Sequence, residues 1–308
     1  MHIAFPPTAL GLLTSAPTNK FLLRGIVEKL KGDPEADFGL VDIYGLLLAA
    51  RLFVPKGELE IDERDLKISN QTLYIGDGQG PMPIYTAVRH EILTEEKVPE
   101  GKLKMNHVTE KTKEKAKKED WFQWFELTPY ELWCEEVSAG IPTYAVGRKF
   151  KDGQDVRNPN DLGLPELRIP GLLGIWGSAF CATLSHYYRE IRPVLASLAG
   201  FGSVDALISE RNEDLAKVHP IDPGSIPNFL LGLGDRLPPT CPESLRKCSH
   251  LRLLDAGVSN NLPIYPLLRP GRDIDILIIF DASADVKVDN WLSVADGYAR
   301  QRGVKGWY

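Results

Sequence analysis

Residues 250–285, HLRLLDAGVSNNLPIYPLLRPGRDIDILIIFDASAD, decide how the chain is read. The stretch runs apolar into Asp255, breaks at Gly257, offers Asn260 and Asn261 as caps for LPIYPLL, and runs apolar again through ILIIF into Asp281. Strand, short helix and strand make a βαβ unit. A continuous apolar run, unlike an alternating one, is the pattern of a parallel strand covered on both faces. The expected class is therefore α/β, with a mainly parallel central sheet flanked by helices. Ligands of such sheets collect beyond the carboxyl ends of the strands, where Asp255 falls. On spacing alone Asp255 is either an ordinary helix-capping loop carboxylate or a catalytic one, and both readings stay open at this point. Asp281 stands at the equivalent end of the next strand. A lone D-x-x-x-D with no His or Glu cluster is a poor cation cage, so no metal is expected.

Working outward, PIYTAVRHEI (83–92) alternates like a half-buried strand, and WFQWFEL (121–127) is its natural partner. Helical spacing of apolar residues predicts helices over 20–32 and 37–54, separated by Gly32 and Asp33-Pro34. Residues 171–192 read as a Gly-punctuated turn running into an amphipathic helix that Pro193 ends. Between the two strands lies KLKMNHVTEKTKEKAKKED (102–120), with seven lysines against four acidic residues. It is either a solvated insertion or a basic surface for anionic phospholipid.

Composition narrows the class. At 308 residues, 43% hydrophobic and 25% charged, the chain has the apolar content for a sizeable core. A net charge of -6 gives no overall reason to expect nucleic acid. Cys134, Cys181, Cys241 and Cys248 show neither CxxC nor Cys/His zinc spacing, which points to a reduced, cytoplasmic protein. The most apolar helix candidate, residues 40–54, is too short to cross a bilayer and carries Asp42 and Arg51.

A nucleophile elbow wants G-x-S-x-G, because small residues on both sides permit the strained turn that exposes the serine. No serine here has that setting. Ser178 in GIWGSAF is flanked by Trp176 and Phe180, and Ser259 in GVSNN by Gly257 and Asn261. Both read as turn or cap residues. The six histidines (His2, His90, His107, His186, His219 and His250) have no repeated local company and read as structural or exposed.

The order of segments carries more. LVDIYGLLLAARL, GPMPIYTAV, WFELTPYEL, GLLGIWGSAF, IPNFLLGL and LLDAGVSNNLPIYPLLRPGRDIDILIIFDASA follow one another from about Phe38 to near the last residue. Together they resemble the C-terminal portion of the catalytic domain of cytosolic phospholipase A2 and fungal lysophospholipase (phospholipase B). The resemblance implies a patatin-like fold and acyl-ester hydrolysis of glycerophospholipids or lysophospholipids by a Ser-Asp dyad. It implies that Asp255, in the D-x-G position of LLDAG, is the dyad carboxylate, and that Arg272, in the second arginine position of RPxR, lines the active site. No cofactor is implied for the chemistry, and calcium only through an upstream membrane-binding domain. The partners implied are the lipid substrate and a membrane surface, anionic if the lysine segment meets it, with peripheral membrane association in the cytoplasm.

The family's Gly-rich oxyanion segment, phosphate-facing arginine and GxSGS serine all precede the matching region, and none of them has a counterpart here. The expectation is a single partial catalytic domain over 1–308 that supplies the Asp half of the dyad and is inactive alone. The alternatives are a non-catalytic lipid-surface or interaction protein built on the same scaffold, and a complete hydrolase using a serine and a histidine of its own.

Overall fold

The computed structural model describes residues 16–32, 38–54, 66–91, 121–156, 166–188, 205–206, 215, 217–239, 241–282 and 291–302. The lysine-rich stretch 102–120 and the end of the expected helix at Pro193 lie outside them.

The two opening helices form where the apolar spacing places them, α1 at Ala16–Gly32 and α2 at Leu40–Phe53. Asp42, in the first turn of α2, accepts from the Gly39 amide at 2.9 Å and pairs with Lys29 of α1. A carboxylate there satisfies an otherwise orphaned amide and complements the helix dipole. A further helix, α3, spans Ile169–Trp176, so the start of the stretch expected as a Gly-punctuated turn is itself helical. The turn comes later: Gly177 closes the helix, a 3-10 turn occupies Ala179–Cys181, and helix resumes at 184–188. α2 and α3 pack backbone to backbone. A Cβ on Gly45 would stand 2.2 Å from the Pro170 carbonyl oxygen, and one on Gly174 would stand 2.4 Å from that of Val41.

Among the described residues there are eight strands in chain order: β1 Tyr85–Glu91, β2 Trp121–Leu127, β3 Glu131–Cys134, β4 Ala139–Pro142, β5 Phe150–Lys151, β6 Gln154–Asp155, β7 Gly224–Pro227 and β8 His250–Asp255. β5 and β6 form a two-stranded ribbon, and the other six form one sheet in the order β4-β3-β2-β1-β8-β7. The expected pairing of 83–92 with 121–127 is present, in register from Tyr85↔Leu127 to Glu91↔Trp121.

The mainly parallel sheet is not. Every pair in this sheet is antiparallel, including β8 with both β1 and β7. The second strand of the anticipated βαβ unit does not form either. Residues 274–280 run without ladder partners among the described residues, and Ile276 and Phe280 are 79% and 89% exposed. A continuous apolar run reports that both faces want cover but does not report what provides it.

The core covers both faces of the sheet: Phe125, Ile226 and Leu253 meet Leu172 and Ile175 of α3, while Val88 and Leu254 are buried on the opposite face with Trp124. Strand β2 is buried along most of its length, and its two buried polar side chains, Gln123 and Glu126, are each bonded to partners far away in sequence. Gln123 accepts from Arg89 at 2.7 Å and donates to Glu91 at 2.9 Å, while Ser244 donates to Glu91 at 2.6 Å. Such pairing is what makes burial of these groups tolerable.

Candidate active site

Strand β8 delivers Asp255 to the edge of an open pocket of about 270 Å3, opposite Ala87 of β1. After Asp255 the chain turns through a 3-10 segment, Ala256–Val258. The Gly257 amide donates to Asp255 Oδ1 at 2.8 Å, so the carboxylate caps its own turn. Among the described residues Oδ2 has no hydrogen-bond partner. Burial pushes the Asp255 carboxyl above the usual carboxylate range, and the Gly257 amide partly opposes that rise. A half-buried carboxylate with one oxygen anchored and the other free is equipped to accept a proton from a hydroxyl brought to it.

The two readings of Asp255 left open by its spacing therefore coexist in one side chain. The cap it forms is on its own turn and not on LPIYPLL, where the helical part is a 3-10 segment at Tyr265–Leu268 without a side-chain cap. Asn260 instead closes a local turn, accepting from the Leu262 amide at 2.8 Å, and donates to the Tyr265 hydroxyl at 2.9 Å. It is buried, and Asn261 lines the pocket beside Gly257.

The far wall is aromatic. Tyr85 and Trp176 stack with ring centroids 4.4 Å apart and planes 13° from parallel. The Tyr85 hydroxyl exchanges hydrogen bonds with the Gln71 amide at 2.8 and 3.2 Å. Behind the same two rings lies a narrow, almost wholly apolar cavity lined by Phe125, Leu172, Ile175 and Leu253 among others. Reading the residues alone assigned no role to Gln71, Tyr85 or Trp176. Tyr85 and Trp176 sit in GPMPIYTAV and GIWGSAF, and no spacing rule says that those two segments meet.

Arg272 is placed elsewhere. Its guanidinium is bidentate on Glu126, at 2.8 and 2.9 Å, and also bonds the Pro266 carbonyl. Arg269 joins the same carboxylate, bonds Glu131 at 2.7 Å, and lies 4.1 Å over the Trp133 ring. Arg272 is absent from the pocket lining around Asp255, so the structure groups it with Glu126 and Arg269.

Ser178 and Ser259 both lie at turns. Ser178 is buried and donates to the Ile175 carbonyl at 2.7 Å, and Ser259 ends the Asp255 turn. Ser249 lies 2.9 Å from His250 Nδ1, but the two are chain neighbours in an exposed contact at the opposite end of β8 from Asp255. His90 and His219 do meet, Nδ1 to Nε2 at 2.9 Å, with His219 Nδ1 2.5 Å from the Cys181 carbonyl. They bond each other and the backbone. Among the described residues no group of three or more His, Cys, Asp or Glu is arranged to hold a metal ion.

A family model described as the lysophospholipase catalytic domain matches residues 12–306. The chain belongs to the lysophospholipase catalytic-domain family. Mouse cytosolic phospholipase A2 zeta is 24% identical over 317 residues, covering 85% of this chain and 32% of that protein. Human cytosolic phospholipase A2 beta is 27% identical over 266 residues, covering 72% and 30%. A lysophospholipase of Arthroderma benhamiae is 27% identical over 175 residues, covering 53% and 24%. The structure of human GIVD cytosolic phospholipase A2 superposes with a TM-score of 0.58 at 23% identity, covering 98% of this chain and 36% of that one. That likeness carries the α/β class of the lysophospholipase family, although the sheet here is antiparallel. The chain spans about a third of the length of the phospholipase relatives it matches first.

Proposed function

We propose that the chain serves acyl-ester hydrolysis of glycerophospholipids or lysophospholipids, with Asp255 as the carboxylate of a Ser-Asp dyad. The observation that carries the reading is the state of Asp255. Oδ1 is anchored by the Gly257 amide, Oδ2 is left without a partner among the described residues, and Asp255 lines an open pocket walled by Trp176 and Tyr85. A carboxylate is a weak base toward a hydroxyl, so it needs direct hydrogen-bond contact and a raised proton affinity, which burial supplies here.

In the reaction Asp255 Oδ2 accepts the serine proton as the serine oxygen attacks the ester carbonyl. The protonated Asp255 returns it to the departing alcohol, and a water activated the same way releases the fatty acid from the acyl-serine. The serine and the donors for the oxyanion come from outside these 308 residues, so the chain by itself is inactive. Arg272 acts through Glu126 as a brace for the loop that follows Asp255. No metal or cofactor takes part in these steps, and the substrate is met at a membrane surface.

The test compares the chain alone with a protein in which it follows the part of human GIVD cytosolic phospholipase A2 that precedes the matched region. Lysophosphatidylcholine and a short-chain fluorogenic ester serve as substrates. Turnover by the joined protein and none by the chain alone is expected. Turnover by the chain alone that a serine-directed phosphonate abolishes would sink the reading and favour a serine within these residues.

A further inference from the structure

Two asparagines follow the Asp255 turn, and their side chains have opposite surroundings. Asn260 is buried and bonded on every side: its backbone amide donates to the Ala256 carbonyl at 3.0 Å, and its carboxamide bonds the Leu262 amide and the Tyr265 hydroxyl. Asn261 is exposed, lines the same pocket as Asp255, and has no side-chain hydrogen-bond partner among the described residues. It is nevertheless held in place. Its neighbours Asn260 and Leu262 are both buried, and the bond between them closes the chain around it. Asn261 Oδ1 lies over Gly257, 2.8 Å from where a Cβ there would stand, and Asp255 Oδ1 is 3.1 Å from the same point. Carboxamide and carboxylate are therefore neighbours across a residue with no side chain. The amide of Asn260 serves the fold, whereas that of Asn261 is fixed in a pocket and left open to a ligand.

We propose that Asn261 is a specificity-determining residue that hydrogen-bonds a free hydroxyl on the alcohol side of the substrate, on the carbon next to the one whose ester is cleaved. The charge of the pocket selects that group. Asp255 is the only charged residue in its lining, and Arg269 and Arg272 are held by Glu126, so nothing in the lining attracts a phosphate. An uncharged part of the substrate belongs beside Asp255. A carboxamide, with an acceptor oxygen and donor hydrogens, matches a hydroxyl, which both donates and accepts. The inference rests on the hydrolase reading for its geometry: the departing alcohol takes its proton from Asp255, so its oxygen lies against that carboxylate and the adjacent carbon falls within reach of Asn261. A site that hydrogen-bonds a substrate hydroxyl turns away the analogue without it, because the amide is then desolvated and unpaired. The class of substrate read in this way is the acyl ester of a polyol whose neighbouring hydroxyl is free, as against one in which that hydroxyl is acylated or missing.

The test is isothermal titration of the full chain with two ligands that cannot be hydrolysed, each kept below the concentration at which it forms micelles. One is the octyl ether of glycerophosphocholine with its middle hydroxyl free, and the other is the same ether with hydrogen in place of that hydroxyl. The first should bind about tenfold tighter, the size of one hydrogen bond made in a pocket closed by the ligand. Asn261→Ala should bind both at the level of the ether without the hydroxyl, and its circular dichroism should match the wild type because the side chain is exposed. Equal affinity of the wild type for the two ethers, binding of neither, or a preference that survives in Asn261→Ala overturns the proposal. Failure of the dyad reading appears instead in the hydrolysis assay and leaves the two affinities as they were.

Discussion

Replacing His90 by Gln should remove a pH dependence that the wild-type chain owes to this half-buried imidazole. The Cys181 carbonyl can only accept, so His219 Nδ1 carries the hydrogen of that contact, while His219 Nε2 and His90 Nδ1 share one hydrogen between them. Burial, followed by the charge that His219 can carry, lowers the His90 pKa from 6.5 to about 4. A histidine whose folded pKa lies below its unfolded one contributes stability above pH 6.5. That contribution is lost as pH falls from 6.5 toward 4, because only the unfolded state gains the proton. At about 1.4 kcal/mol per unit, the loss between pH 8 and pH 5 is about 2 kcal/mol. Asp255 and Glu166, whose carboxyls burial pushes up, titrate alike in both proteins and cancel in the comparison. Urea unfolding of wild type and His90→Gln at the two pH values measures the difference, since Gln keeps a donor for His219 without a titrating group. The wild type should lose about 2 kcal/mol more than the variant. Parallel losses would show that His90 titrates as an ordinary solvated histidine.

Other substitutions test the packing. Glu126→Gln strips the shared partner from Arg269 and Arg272 and should cost about 3 to 5 kcal/mol, read as a lowered thermal midpoint. An unchanged midpoint would mean that those arginines are satisfied by Glu131, Trp133 and solvent. Gly45→Ala pushes α2 off α3, where a Cβ has no room beside the Pro170 carbonyl, and should destabilise by about 1 to 3 kcal/mol. Gly39→Ala, with open space around it, is the matched control. The exposed run at 274–280 should drive self-association, because unpaired apolar strand formers invite pairing between chains. Light scattering should show smaller species for Ile276→Lys/Ile278→Lys, and a concentration-independent monomer in the wild type would contradict the expectation.

What the sequence made legible was local. The alternation in PIYTAVRHEI and the aromatic crowding in WFQWFEL identify two strands, and their antiparallel pairing follows. Asp255 stands out because an apolar run ends on it and Gly257 turns the chain away. The partners of β8 were not legible, since nothing in HLRLLD says that it lies between β1 and β7 with both neighbours reversed. The run DILIIF shows the limit in the other direction, because its burial pattern is real but its cover is not supplied by the described residues. The polar cluster of Arg89, Glu91, Gln123 and Ser244 joins positions up to 153 residues apart, a distance at which periodicity carries no signal. The pocket wall of Tyr85 and Trp176 was hidden for the same reason.

The most direct test of the central claim is turnover by the joined protein carrying Asp255→Asn, with Asp281→Asn beside it as the matched control at the other carboxylate of the opening stretch. Asn preserves the size of Asp255 and can still accept from the Gly257 amide, but it cannot take a proton from a serine. Lysophosphatidylcholine hydrolysis should fall by about 100-fold to 10,000-fold in Asp255→Asn, with the thermal midpoint held, while Asp281→Asn retains most of its turnover. Near-normal turnover in Asp255→Asn would contradict the account and leave Asp255 as the carboxylate that caps its own turn.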